Sequence, residues 1–281
     1  APVLALPQHF VPPAVTPERG EARWGLGIAD GRFVIVSPGL ATPAKRLDLA
    51  VSALSRLVAA GVDAELIVVG PSPPSGSSVT RLSHDAGVAD RVRETGHLSP
   101  SSFAAALVAA DVVLGLRFPS HGETSAAAIR ALGLGACVFL TAGSETALEI
   151  PRAACVLVAP GPSEGAELTE LLLNIARRPD WRMALGAAAR EHIARHHSLG
   201  GTVSTLVAFL EEVRESQKGR RSRSVKSGLA PPSPLSSVSE GRVALAAQLL
   251  EEACLAGLEI GIDPDLIPLD DLVHSLLGGP A

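Results

Sequence analysis

Two stretches of the chain bring together residue types that could do chemistry. Leu116-Arg117-Phe-Pro-Ser-His121-Gly122-Glu123-Thr124-Ser125 leaves an apolar run and enters an alanine-rich segment. Gly122 permits close approach of backbone to a ligand. The amides of Thr124 and Ser125 would open a helix and can receive phosphate oxygens, and Glu123 can accept hydrogen bonds from sugar hydroxyls. The same residues fit a simple capped helix equally well, with Ser120, Thr124 or Ser125 as the cap and Glu123 complementing the dipole. The second stretch is Ser37-Pro-Gly39-Leu-Ala-Thr-Pro-Ala-Lys45-Arg46, a glycine turn followed by two cations at the start of a helix. Lys45 could reach an anion there; on its own it also reads as an ordinary surface lysine. No GxGxxG follows the first strand, which disfavours a nicotinamide or flavin site, and no P-loop, HExxH or GxSxG occurs.

The elements that must hold these residues alternate. Short apolar runs begin at Phe33, Ala64, Asp111, Ala136 and Ala154, and a helical stretch around Val79–Ala86 leads to Arg91-Val-Arg-Glu-Thr-Gly96. Between them lie stretches with helical spacing, such as Leu47, Ala50, Leu54 and Leu57, or the segment expected to be helical from Gly122 to Gly135. Strands apolar on both faces and separated by helices imply a parallel sheet covered on both sides, a doubly wound α/β fold. Such sheets bind ligands beyond the carboxyl ends of their strands. The loops after Val36, Val69, Thr95, Leu116 and Leu140 are therefore where function is expected.

The expected organisation is an interdomain connection over 1–32, a Rossmann-like domain over 33–215, a flexible linker over 216–240 and a short helical tail over 241–281. Glu164 to Val213 reads as helical, with Leu168, Leu171, Leu172 and Ile175 on one face and Pro179 opening the next helix. Ser216 to Glu240 is rich in Ser, Pro and basic residues, the composition of a linker. The first residue is not Met, and the chain reads as a piece of something longer.

Composition narrows the function classes. The 281 residues carry a formal charge of −5, against the basic face usual in nucleic-acid binders, and only 3% are aromatic, with no Tyr to stack on bases. No apolar run reaches the roughly 18 residues of a membrane span. The three cysteines, Cys137, Cys155 and Cys254, form no CxxC pair and each lies in an apolar stretch, so core packing is expected rather than a disulfide or metal site. A reducing compartment, the cytoplasm, is the expected location.

With these pieces in place the sequence from Val34 to Val213 resembles the C-terminal, donor-binding domain of family 4 (group 1) glycosyltransferases of the GT-B fold. Gly39 with Lys45-Arg46-Leu-Asp48 resembles the family's glycine loop and its K-R/G-x-D segment. Leu66-Ile-Val-Val-Gly70 resembles L-x-I-V-G, and Val88-Ala-Asp-Arg-Val92 through Gly96-His97-Leu98 resembles V-x-D-R-V-x-F-x-G. Ala110-Asp-Val-Val-Leu114 resembles A-D-V-x-L, and Gly122–Gly135 lies where the family has its two-glutamate motif. Glu149-Ile-Pro151 resembles E-L/I-P, and Arg182–His197 resembles the closing helical pattern.

The resemblance implies a retaining transfer of sugar from a nucleotide-diphosphate donor to an acceptor of glycan, lipid or small-molecule type. It implies no cofactor or metal and a second, N-terminal GT-B domain as partner. Lys45 would pair with the diphosphate and Glu123 with the donor sugar, these two being the catalytic candidates. Gly39, Arg46, Gly96, His97, Arg117, His121, Gly122, Thr124, Ser125 and Arg130 would complete the donor site. The sequence departs from the family at three points. Arg130 stands at the place of the second glutamate, Glu123 lies one position later than the usual first one, and Leu40 replaces the arginine after Gly39, a loss for which Arg46 could substitute. These departures keep two alternatives open: a non-catalytic GT-B-like binding module, and a nucleotide-sugar epimerase of similar architecture.

Overall fold

The computed structural model describes residues 3–71 and 79–226. Six strands make one sheet: β1 (Phe33–Pro38), β2 (Ala64–Val69), β3 (Val92–Glu94), β4 (Val112–Gly115), β5 (Val138–Thr141) and β6 (Val156–Val158). Every neighbouring pair is parallel and the order is β3-β2-β1-β4-β5-β6. This is the doubly wound, Rossmann-like arrangement expected from the alternation, and its order reverses between β1 and β4. The helices are α1 (Arg19–Gly25), α2 (Leu47–Ala59), α3 (Val79–Asp85), α4 (Pro100–Ala109), α5 (Ala126–Gly133), α6 (Glu145–Glu149), α7 (Glu164–Ala176), α8 (Pro179–His196) and α9 (Leu199–Lys226).

Period-two alternation sorts each strand between two cores. Phe33 and Ile35 of β1, with Leu66 and Val68 of β2, face Leu54 and Leu57 of α2 and Leu168, Leu172 and Ile175 of α7. Val34 and Val36, with Ile67 and Val69, face Leu107 of α4, Ile129 and Leu132 of α5, and Ile193 of α8. Local signals start the helices: the Ser99 hydroxyl accepts from the Ser102 amide at 3.2 Å ahead of Pro100, and Pro179 opens α8.

Two segments differ from expectation, and one shows an element for which there was no expectation. The helix expected from Gly122 begins at Ala126, with Ser125 as its cap, because residues 124 and 125 are bonded sideways to Glu149 and Thr146. The first 32 residues contain a helix, α1. Helix α9 continues to Lys226, through the first part of the segment expected to be a linker. The rest of that segment, the expected tail over 241–281 and Cys254 lie outside the described residues. Residues 1–210 form one unit and 211–281 a second.

The amino-terminal segment is tied to the sheet through a buried carboxylate. Asp111, just ahead of β4, is 8% exposed. It accepts from the Val34 amide at 2.8 Å, Arg19 at 2.9 Å and Arg23 at 3.3 Å, and pairs with Arg182 of α8 at 3.1 Å. One residue thus joins α1, β1, β4 and α8 at the amino ends of the strands. Removing one partner of a buried charge cluster leaves the others uncompensated, at a cost of about 3–5 kcal/mol. Asp111→Ala should lose stability on that scale in urea unfolding; an unchanged midpoint would show that solvent reaches the cluster.

Candidate functional site

Where the strand order reverses, between β1 and β4, a doubly wound sheet has its crevice, and the loops after these two strands flank that point. The β1 loop enters it through Gly39, whose φ is +97° and whose amide donates to the Val69 carbonyl at 2.7 Å. Gly70 closes against it: a Cβ on Gly70 would lie 2.4 Å from the Gly39 carbonyl oxygen, so no side chain fits. Gly70 in turn bridges Gly96 of the β3 loop, and His97 beside it is exposed. Backbone thus forms the floor at the carboxyl ends of β1, β2 and β3.

A 3₁₀ turn over Pro43–Lys45 then folds the Lys45 side chain back over this floor. Its ammonium lies 3.4 Å from where a Gly39 Cβ would be. Lys45 is 7% exposed and forms no ion pair among the described residues. Burial, with the nearby positive charge of Arg117 adding to it and Glu123 opposing it, pulls its pKa down to about 8.

The β4 loop forms the other wall. The Phe118 amide donates to the Ala44 carbonyl at 2.9 Å, stitching the two loops together next to Lys45. The Arg117 amide donates to the Thr141 hydroxyl at 2.9 Å, and its guanidinium pairs with the Glu123 carboxylate. Glu123 also accepts from the His121 amide at 2.9 Å, and Arg117 foremost holds its carboxyl below the usual range. Gly122, between them, has φ +87°. Lys45, Arg117, Glu123, Gly39 and the His121–Gly122 turn are therefore gathered at one place.

Other candidates stand differently. The Ser125 amide, expected to face a phosphate, donates to the Thr146 hydroxyl at 2.8 Å, while its own hydroxyl caps α5. Thr124 donates through its hydroxyl to Glu149 at 2.6 Å. Arg46, expected to assist Lys45, instead pairs with buried Glu164 of α7 at 2.8 Å and lies over the Phe118 ring at 5.9 Å. Arg130 lies on α5 over the Phe103 ring at 6.0 Å. Thr141, Thr146 and Glu164 support the site, yet nothing in their local sequence marks them; Glu149 was visible only as part of a motif. Cys137 and Cys155 are core residues, their thiols pushed by burial up to about 12 and about 11. Among the described residues no three His, Cys, Asp or Glu side chains cluster as metal ligands would, and no helix is long and apolar enough to cross a membrane.

The family described as "Glycosyl transferases group 1" matches residues 32–176, the stretch that carries both walls of this crevice. The chain belongs to the group 1 glycosyltransferases. A GDP-mannose-dependent monoacylated alpha-(1-6)-phosphatidylinositol monomannoside mannosyltransferase of Corynebacterium glutamicum is 33% identical over 190 residues, covering 64% of this chain and 48% of that protein. A D-inositol 3-phosphate glycosyltransferase of Actinosynnema mirum is 31% identical over 220 residues, covering 73% and 52%. The chain spans about half the length of the curated relatives it matches. Among solved structures, sucrose-phosphate synthase from Thermosynechococcus elongatus superposes with a TM-score of 0.62 at 21% identity, over 70% of this chain and 49% of that one. Anabaena HepE, solved in complex with UDP-glucose, gives 0.61 at 16%, over 69% and 52%. The fold is the C-terminal, Rossmann-like domain of GT-B glycosyltransferases.

The buried lysine of this group 1 domain burdens the fold. Each pKa unit below the ordinary value costs about 1.4 kcal/mol while the charged form persists. Lys45→Met keeps the apolar stem and removes the charge. It should raise unfolding free energy by roughly 1–3 kcal/mol at pH 7. The folded pKa of about 8 lies below the ordinary 10.5, so the gain is full below pH 8 and fades as pH rises toward 10.5. Urea titrations at pH 7 and pH 10 check both the sign and the fading.

Proposed function

We propose that this chain is the donor-binding half of a retaining glycosyltransferase that takes its sugar from a nucleoside-diphosphate sugar. The observation that carries this reading is Lys45, a buried ammonium without an ion-pair partner among the described residues, held over a glycine floor at the switch point of the sheet. A fold tolerates such a charge where a ligand anion completes it. Two relatives support the class of anion: one is described as GDP-mannose-dependent, and Anabaena HepE was solved with UDP and with UDP-glucose.

In this reading the diphosphate lies over Gly39 against Lys45, and the sugar reaches toward Glu123. Negative charge grows on the departing diphosphate during transfer, and a cation fixed in a desolvated crevice stabilises that charge more than the ground state. Glu123 accepts from sugar hydroxyls and orients the ring. The acceptor and the opposite wall of the cleft come from an N-terminal GT-B domain, whose closure excludes water. Arg130 at the place of the second glutamate favours a second reading, a binding module without transfer.

Calorimetric titration with UDP and GDP tests the donor site directly. A charge-assisted contact is worth roughly 1.5–3 kcal/mol, so Lys45→Ala should weaken binding about tenfold to a hundredfold. Affinity should hold below pH 8 and fall as pH rises past it, because the free lysine then loses the proton that the diphosphate needs. Unchanged affinity in the variant would remove Lys45 from the site. Adding the N-terminal half of a relative in trans should produce transfer from a nucleotide sugar; binding without transfer would favour the second reading.

A further inference from the structure

The crevice contains two cations and one carboxylate, and the carboxylate is on only one of the cations. Arg117 pairs through Nη1 with Glu123, while its Nε is buried without a hydrogen-bond partner. Arg117 is close enough to Lys45 to disfavour the lysine's charge. Glu123 is 36% exposed and is held from the other side by the His121 amide at 2.9 Å. A guanidinium has a fork of parallel N–H donors that matches two phosphate oxygens, and a single carboxylate oxygen on one arm leaves that fork half used.

We propose that Arg117 is the second diphosphate-binding cation, and that Glu123 acts in the empty site as its internal counter-ion, displaced when the diphosphate arrives. This inference rests on the donor-site reading above. A diphosphate has more negative charge than one carboxylate and can satisfy Nε and Nη together, so it outcompetes Glu123 for Arg117. The freed Glu123 carboxylate, still anchored by the His121 amide, turns to the sugar hydroxyls. The exchange couples the two functions: Glu123 opposes binding of a bare diphosphate and favours a donor that brings a sugar to replace its lost partner.

The sign of this effect is the test. Glu123→Gln removes the competing charge and should tighten UDP and GDP binding by about threefold to tenfold, whereas a residue that only touches the sugar would leave these ligands unaffected. In an Arg117→Gln background, itself weakened about tenfold, the same Glu123→Gln change should alter affinity by less than about twofold. Arg117→Lys, which keeps the charge but loses the fork, should lie between wild type and Arg117→Gln and guards against a folding defect; circular dichroism and melting curves accompany each titration. Tightening of equal size in both backgrounds would mean general electrostatics and would overturn the exchange. Weaker or unchanged binding in Glu123→Gln, with Lys45→Ala still impaired, would overturn it too while leaving the donor site standing. If the wild-type chain binds neither diphosphate, or binds them independently of Lys45, the donor-site reading fails and this proposal fails with it.

Discussion

β1 is hydrogen-bonded along both edges, to β2 and β4, and buried on both faces. Nothing along its length is left for a ligand. Because every strand of the sheet is parallel, the carboxyl ends all open on one side, and the chain leaves β1 and β4 toward opposite faces of the sheet. The crevice between those two exits is a consequence of how the sheet satisfies its own backbone. Each functional candidate that the structure gathers comes from one of these two exits or from the glycine floor beside them.

The two ends of the sheet treat buried charge in opposite ways. At the amino end Asp111 meets three guanidiniums and a backbone amide, a site closed on itself that fastens α1 and α8 to the strands. At the carboxyl end Lys45 is as buried as Asp111, yet no carboxylate pairs with it among the described residues. The first cluster compensates its charge within the fold; the second leaves the ammonium's desolvation uncompensated by an ion pair. Burial foremost lowers the pKa of Lys45, and the fold bears the cost of that desolvation in stability.

The walls of the crevice owe their shape to contacts distant in sequence. The Phe118 amide on the Ala44 carbonyl joins the two loops, Thr141 holds the start of the β4 loop, and Thr146 and Glu149 hold Ser125 and Thr124. These bonds delay the start of α5 to Ala126 and keep residues 121–124 as an open turn. Arg46 is drawn to Glu164 and Phe118, which steadies the entry to α2 and leaves Lys45 as the cation of its loop in the crevice.

Periodicity and punctuation in the sequence determined the layered fold, since double-sided apolar strands have few ways to be covered, and they placed the chemistry on the loops after Val36 and Leu116. Residue order also marked Gly39, Lys45 and Glu123, because glycine turns and helix-entry charges act locally. What Arg117, Arg46 and Ser125 do was not legible there. Arg117 and Glu123 are only six residues apart, but their pairing depends on how Thr141 and the Gly122 turn aim the loop. Arg46 and Glu164 are 118 apart, and their pairing exists only because α7 packs on α2. Which buried charges find partners, and which do not, is decided by distances through space. A linear pattern of residue types does not contain those distances, so only the tertiary structure separated the ion-paired arginines from the buried lysine that has no ion pair among the described residues.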